Sequence, residues 1–202
     1  GTGNYAGTET APWSISKVPL LVKADNKEVI YGDALPTLTL TFEGFVNGET
    51  EDVLTGVSVM STTYLKGSPV GDYPITVSGY LSGNYDINFV PGMLFVDPAT
   101  PVVTVSGNRT YNGLEQTVAY SVTGVDGNPL TLDTDYILDG DVRATGAGSY
   151  VLTVIGKGND AGTVSASWSI SKAPLTVTAD DKRVPYMAAV PDLTVTITGF
   201  VN

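Results

Sequence analysis

Apolar and polar residues alternate along most of this chain with a period of two, and no stretch sustains the three-to-four spacing of a helix. The clearest case is Leu38, Leu40 and Phe42, interleaved with Thr37, Thr39 and Thr41. Successive strand side chains leave by opposite faces, so one face of such a segment packs inward and the other is wetted. Trp13 and Ile15, set between Ser14 and Ser16, repeat the pattern and predict a half-buried strand closing a hairpin over residues 1–17. Leu20-Leu21-Val22 opens a further strand, and residues 57–59, 75–77, 87–89 and 93–96 predict others. So do residues 103–105, 118–122, 136–138, 150–154 and 164–170. Turn formers separate them, among them Pro69, Gly71, Gly79, Gly83, Asn84, Pro91, Gly92, Gly113, Gly124 and Gly140. Residues 47–54 (NGETEDVL) differ: acidic residues come early and apolar ones late, as at a helix N-terminus, which predicts at most one short helical turn. The fold class that follows is mainly β, as tandem small β-sheet or sandwich modules.

The pattern is written twice. W-S-I-S-K-V-P-L begins at Trp13 and W-S-I-S-K-A-P-L at Trp168, 155 positions later. From Ser14 and Ser169 onward the copies agree at roughly 20 of about 34 positions without a gap, the signature of a repeat array. A second relation lies at half that distance: VGDYPITVSG from Val70 and AGSYVLTVIG from Ala147 place Tyr73 and Tyr150 77 positions apart. Two related module types thus alternate. The expected boundaries are 1–17 for the closing hairpin of a truncated module, 18–97 for a complete module of the first type, 98–172 for a complete module of the second, and 173–202 for the opening strands of another first-type module. The chain reads as a slice of a longer array. Asp97-Pro98-Ala99-Thr100-Pro101 is a short, stiff linker because proline fixes φ. At the repeated junction, Ala173-Pro174 switches the inward face from even positions (Trp168, Ile170) to odd ones (Leu175, Val177, Ala179).

Composition narrows the chemistry. The 202 residues contain no cysteine and no histidine, which removes disulfide staples, thiol catalysis, zinc–thiolate sites and the commonest general base. Ten basic residues against 21 acidic ones give a net charge of −11, which repels phosphate backbones and argues against nucleic-acid binding. No run of apolar residues is long enough for a membrane helix, so no membrane insertion by this segment is expected.

Three motifs carry a resemblance: P-L-x-V-x-A-D-x-K-x-V-x-Y (Pro19 to Tyr31, and Pro174 to Tyr186), G-F-V-N (Gly44 to Asn47, and Gly199 to Asn202) and V-G-D-Y-P-I-T-V (Val70 to Val77). They resemble the MBG ("mostly beta, glycine-rich") repeats of large bacterial surface proteins. The second module type, with Tyr111-Asn112-Gly113, Thr134-Asp135-Tyr136 and G-K-G-N-D-A-G-T from Gly156, looks like the Ig-like repeat that accompanies them. In the last copy Tyr186-Met187-Ala188-Ala189 replaces Tyr31-Gly32-Asp33, which predicts a different turn there. The resemblance implies an exported, extracellular structural module of an adhesin or stalk at a bacterial cell surface, with no catalytic residues to carry over and no cofactor.

Several residues are candidates for chemistry. Asp133, Asp135, Asp139 and Asp141 could supply part of a calcium shell, although their spacing is not that of an EF-hand and aspartate is also an ordinary turn former. Gly156-Lys157-Gly158-Asn159 is glycine-rich but precedes a strand, so a hairpin turn is expected over a phosphate cradle. Tyr73 and Tyr150 are expected to be corner tyrosines bonded back to the main chain. Tyr80, Tyr85 and Tyr120, if exposed, could stack on a sugar ring. Lys23, Lys27 and Lys182 fall on polar positions, against the buried lysine an isopeptide cross-link needs. Asn108-Arg109-Thr110 fits a glycosylation sequon, and no carboxylate pair is singled out for glycoside hydrolysis. The expected function is a non-catalytic structural spacer; the alternative is a module binding glycan or host protein. Neighbouring repeats are the expected partners, together with head-to-tail or edge-strand pairing between chains, because a lone hairpin leaves an open edge.

Overall fold

In the computed structural model, which describes residues 3–201, period-two alternation becomes burial most plainly in β1 (Val18–Ala24). Leu20, Val22 and Ala24 face the core, and Leu21 and Lys23 point away. The chain divides between Asp97 and Pro98 into two compact units, and the observed fold is mainly β. Among the described residues no helix is long and apolar enough to cross a membrane.

The first unit continues with β2 (Lys27–Ile30), β3 (Leu40–Glu43), β4 (Thr55–Ser61), β5 (Gly71–Leu81), β6 (Tyr85–Val90) and β7 (Gly92–Asp97). One sheet runs in the order β3-β1-β6 and the other β2-β7-β5-β4. β1–β6 and β2–β7 are parallel pairs; the rest are antiparallel. Both sheets feed one core, with Leu20 and Val22 from β1, Ile75, Val77 and Tyr80 from β5, and Leu94 and Val96 from β7. Each fully buried aliphatic side chain of this kind contributes about 1.5–3 kcal/mol. The helical turn expected within residues 47–54 is a single 3-10 turn, Glu51–Val53. In β4 an extra residue between Gly56 and Val59 shifts the ladder against β5, so Val57 and Val59 point to solvent while Ser58 and Met60 turn inward.

The second unit holds β8 (Val102–Ser106), β9 (Arg109–Thr110), β10 (Gln116–Thr117), β11 (Ala119–Thr123), β12 (Tyr136–Gly140), β13 (Arg143–Ala144), β14 (Gly148–Gly156), β15 (Thr163–Ser171), β16 (Thr176–Ala179) and β17 (Val195–Thr198). Its main sheet is β12-β14-β15-β9, beside the pairs β11–β8 and β10–β13. Leu152, Trp168 and Ile170 pack with Val118, and Val154 with Val122 and Tyr136. The Trp168 indole donates to the Asp141 carbonyl at 2.6 Å and lies 4.9 Å, centroid to centroid, from the Tyr150 ring.

Two expectations fail here, for related reasons. Residues 5–17 form no strand; Gly1 and Thr2 lie outside the described residues. Trp13 and Ile15 are each 82% exposed, whereas Trp168, in the same W-S-I-S-K sequence, is 5% exposed. Alternation makes a strand only where another strand offers an edge. β15 has β14 and β9; the earlier copy has no strand partner among the described residues. The turn at Tyr186-Met187-Ala188-Ala189 also departs from expectation, because it does not differ. The Ala188 amide donates to the Pro185 carbonyl as the Asp33 amide does to that of Ile30, and Met187 takes φ 67° where Gly32 has 92°. A side chain is thus forced into a left-handed backbone that glycine adopts freely.

The opening strands expected in residues 173–202 do form, as the two-stranded β16–β17 (Asn202 is outside the described residues). Gly44 and Gly199 hold the equivalent place in each copy. Both have positive φ, and a Cβ at either would come within 2.5 Å of a carbonyl oxygen, Pro19 O or Pro174 O. Gly44→Ala is therefore expected to destabilise the first unit by about 1–3 kcal/mol, from backbone strain and the displaced neighbour. Gly83→Ala, in open space without a left-handed φ, should change stability by less than about 0.5 kcal/mol. Urea unfolding of the two variants checks the contrast.

Candidate functional site

The most ordered polar constellation is a clasp that occurs twice. The Asp25 carboxylate, just beyond β1, accepts hydroxyls from Thr39 and, at 2.6 Å, from Thr41 on β3, and Lys27 Nζ donates to the Thr39 hydroxyl at 2.8 Å. In the later copy Asp180 accepts Thr194 and Thr196 at 2.5 and 2.6 Å. The two threonines of each pair lie two residues apart on one strand face, which brings both hydroxyls to one carboxylate. These hydrogen bonds hold both carboxyls below the usual aspartate range; the Lys27 charge adds a smaller effect at Asp25. The threonines are exposed, Asp25, Lys27 and Asp180 are half-buried, and the carboxylates are taken up by the threonine hydroxyls. The clasp pins the end of one strand to the next and leaves no atom poised for chemistry.

Three of the four candidate calcium ligands are spent on main-chain amides. Asp135 accepts the Thr131 amide at 2.8 Å, Asp139 the Gly140 amide at 2.8 Å and Asp141 the Val151 amide at 3.3 Å. Asp133 has φ 67° at a turn, and its carbonyl accepts Lys157 Nζ at 2.6 Å. Among the described residues no three acidic side chains gather into a group that could hold a metal. Gly156 to Asn159 lead through a 3-10 turn, Gly158–Asp160, into β15. Asp160 is buried behind it and accepts the Val125 amide. That residue had no signal in the sequence.

The tyrosines divide. Tyr73 and Tyr150 are corner tyrosines: each hydroxyl donates at 2.7 Å to the carbonyl four residues earlier, Pro69 and Gly146. Tyr80 and Tyr85 are not the exposed stacking platforms they could have been. Both rings are buried in the core, and their hydroxyls donate to Glu51 and Glu49. Burial, then the Glu51 carboxylate, raises the Tyr80 phenol; at Tyr85 the hydrogen bond to Glu49 is the larger cause. Tyr120 is half-buried on β11, and burial, with Tyr120 alongside, pushes the Tyr136 phenol up to about 12. Among the described residues the exposed rings are instead Tyr5, Trp13, Tyr186 and Phe200.

Two recesses fall at equivalent places of the repeated junction. One, of about 400 Å³, is bordered by Lys17, Val18, Val46, Asn47, Glu49 and Tyr85; the other, of about 420 Å³, by Tyr111, Lys172, Ala173, Leu175, Phe200 and Val201. Lysine and valine recur, but the first recess mixes polar with apolar residues and the second is mostly apolar, so their linings differ. A third, of about 240 Å³, lies beside Arg109 and Trp168. There the guanidinium donates to the Ser106 and Gly107 carbonyls and sits 5.7 Å from the indole centroid. Asn108 of the sequon is exposed on the same loop. Lys23 pairs with Glu43 at 2.6 Å, on the outer face.

Two predictions follow from these contacts. The Asp25 and Asp180 carboxyls are held low in the fold, so their clasps stabilise above the ordinary aspartate pKa near 3.8 and lose that contribution as pH falls through the lowered values. Replacing both by Asn should flatten the acid limb of stability against pH below about 4, read from urea midpoints at stepped pH. Tyr73→Phe and Tyr150→Phe should each cost about 1 kcal/mol in the unit concerned, the worth of one intramolecular hydrogen bond, with ring packing retained in the near-ultraviolet dichroism.

Comparison with known proteins places this geometry. Residues 20–95 match the family model of the MBG domain (YGX type), and Tyr31-Gly32-Asp33 supplies a Tyr-Gly-X turn within that span. No curated protein matches the chain. Among solved structures, extracellular domains 3–5 of Drosophila OTK align over 93% of this chain and 78% of theirs, at 13% identity and a TM-score of 0.22, too low a score to argue from. The family match falls on β1 to β7, the strands that carry the Asp25 clasp, Gly44 and the Tyr73 corner, so it is over residues 20–95 that this chain is similar to an MBG domain of the YGX type.

Proposed function

We propose that this chain is a non-catalytic structural spacer, a stalk segment of a large extracellular, adhesin-like protein at a bacterial cell surface. In it MBG modules alternate with Ig-like modules, with boundaries at 18–97 and 98–172 and partial modules on either side. One observation carries the reading: what recurs at the repeat distances is scaffolding. The clasp of Asp25 with Thr39 and Thr41 recurs as Asp180 with Thr194 and Thr196, and Gly44 as Gly199. The corner tyrosine recurs at half the distance as Tyr73 and Tyr150. Surface side chains recur less fully: Lys23 and Glu43 become Thr178 and Thr198, and the two junction recesses keep a lysine and a valine but differ in the rest of their lining. A repeated binding module would keep its contact chemistry and let its framework vary in detail.

The glycan-binding alternative depended on a tyrosine platform, and it loses support with Tyr80 and Tyr85 in the core. Pulling the full chain between its termini, alongside a glycan and host-protein array, separates the readings. A spacer gives one unfolding event for each complete unit and no saturable retention on the array. Saturable binding to one class of array ligand, with unit stability unchanged by mutation of its contact residues, would replace the spacer with the binder.

A further inference from the structure

The first unit is closed by its own two ends. β1 runs parallel to β6 through six residue pairs, Val18↔Tyr85 to Lys23↔Val90, and β2 runs parallel to β7 through four, Lys27↔Leu94 to Ile30↔Asp97. The two ladders lie in different sheets, yet every pair joins residues 67 positions apart. Residues 18–30 and 85–97 therefore form one parallel ribbon that crosses from sheet to sheet without losing register. At the crossing Asn26 stands in line with Met93, and its Oδ1 accepts the Met93 amide at 2.9 Å. Gly92 passes so close to β1 that a Cβ there would come within 2.4 Å of the Ala24 carbonyl oxygen. Both limits of the ribbon are tied, by the Val18 amide to the Asn84 carbonyl at 2.9 Å and by the Tyr31 amide to the Asp97 carbonyl at 2.8 Å.

In the second unit the corresponding segments scarcely meet. Its long strand β15 pairs in parallel with β9 only at Ile170↔Arg109 and Ser171↔Thr110, with one further bond from the Tyr111 amide to the Ser171 carbonyl at 2.8 Å. β8, which precedes β9, pairs with the interior strand β11 and with no other strand among the described residues, whereas β1 is held by β3 as well as by β6.

Tension along the chain enters each unit at its first strand and leaves by its last. Two parallel strands pulled by opposite ends slide past one another, so all the bonds of the ladder between them share the load. Strands drawn apart from one end lose their bonds one at a time. Resting on the spacer reading, we infer that the ribbon of residues 18–30 and 85–97 is a load-bearing clamp, that the β9–β15 contact is a weaker one, and that tension opens the second unit first. Alternation of the two module types then gives the stalk a further function, graded extension: one type lengthens under load while the other keeps its fold. The quantity that sets this order is the rate of forced unfolding.

Constant-force pulling of the full chain between its termini tests this. Two events are expected, and at one force the second unit should have the shorter lifetime by at least about tenfold, close to the worth of a single net hydrogen bond. Oxidised cysteine pairs assign the events, since the chain has no cysteine of its own. Thr110→Cys with Ser171→Cys, exposed partners on β9 and β15, should remove the length of residues 111–170 from the early event. Ile30→Cys with Asp97→Cys, exposed partners on β2 and β7, should remove that of residues 31–96 from the late one. Moving one handle from the C-terminus to Gly83→Cys, just before β6, loads the ribbon from one end, and the first unit should then open at least about tenfold sooner. The inference is overturned if the first unit opens first, if the two lifetimes agree, or if the first unit lasts as long with the handle at residue 83 as at the C-terminus. None of these outcomes bears on the spacer reading, which falls instead to saturable retention on the ligand array.

Discussion

A strand among the described residues exists only where another strand supplies hydrogen-bond partners along its edge, and its apolar face is buried only where a second layer covers it. That requirement outweighs local sequence, because a residue fixed in an extended backbone costs on the order of 1–2 kcal/mol of conformational entropy and a two-stranded ribbon recovers little of it. The chain contains its own controls. W-S-I-S-K occurs once with neighbours on both sides and once with none, and P-L-x-V occurs once beneath a second sheet and once without cover. In each pair the letters agree and the burial does not. Propensity and patterning nominate the strand; tertiary neighbours decide it.

Within the complete unit, a few local devices fix the geometry that burial then rewards. The Asp25 clasp ties the exit of β1 to β3. Gly44 allows the chain leaving β3 to pass against the Pro19 carbonyl, closer than any side chain permits. Tyr73 folds back on Pro69 and sets the entry to β5 while its ring meets Tyr64 edge-on at 5.5 Å. Each is a short-range contact whose parts lie close in sequence or on adjacent strands. Such contacts can be copied intact with a module and re-form wherever the module is placed, and the clasp recurs in β16–β17.

Much of the fold was legible in period two: residues 75–77, 93–96, 150–154 and 164–170 all lie in strands. The corner tyrosines could be read because their glycine-flanked motif recurs. What escaped the sequence has identifiable causes. β2 reads Lys-Glu-Val-Ile, without alternation, and is held by a parallel pairing with β7 that no local pattern encodes. Tyr80 looked like a loop residue because Ile75 and Val77 put the inward face on odd positions. Gly79, at φ 101° opposite the bulge in β4, switches the parity and turns Tyr80 inward. That glycine is the available signal, and by itself it reads as a turn. The aspartates of residues 133–141 had the density of a cation site, yet three of their carboxylates accept nearby amides, the other role a turn offers to aspartate.

The two copies also show which contacts can drift. Lys23 and Glu43 form an exposed ion pair across the outer face of β1 and β3, and the later copy has threonines at both places. An exposed pair of this kind contributes at most about 1 kcal/mol, whereas a threonine pair suits a strand surface through propensity and cross-strand contact. The exchange is therefore nearly neutral for stability while it removes two opposite charges. At Met187 the drift runs the other way: a side chain occupies a left-handed position at a cost of about 1–2 kcal/mol, and the turn keeps its shape because the Ala188 amide still reaches the Pro185 carbonyl. Surface side chains change freely and turn residues change under strain. The backbone path between strands persists in both cases, and that path is what a module must hand to its neighbour.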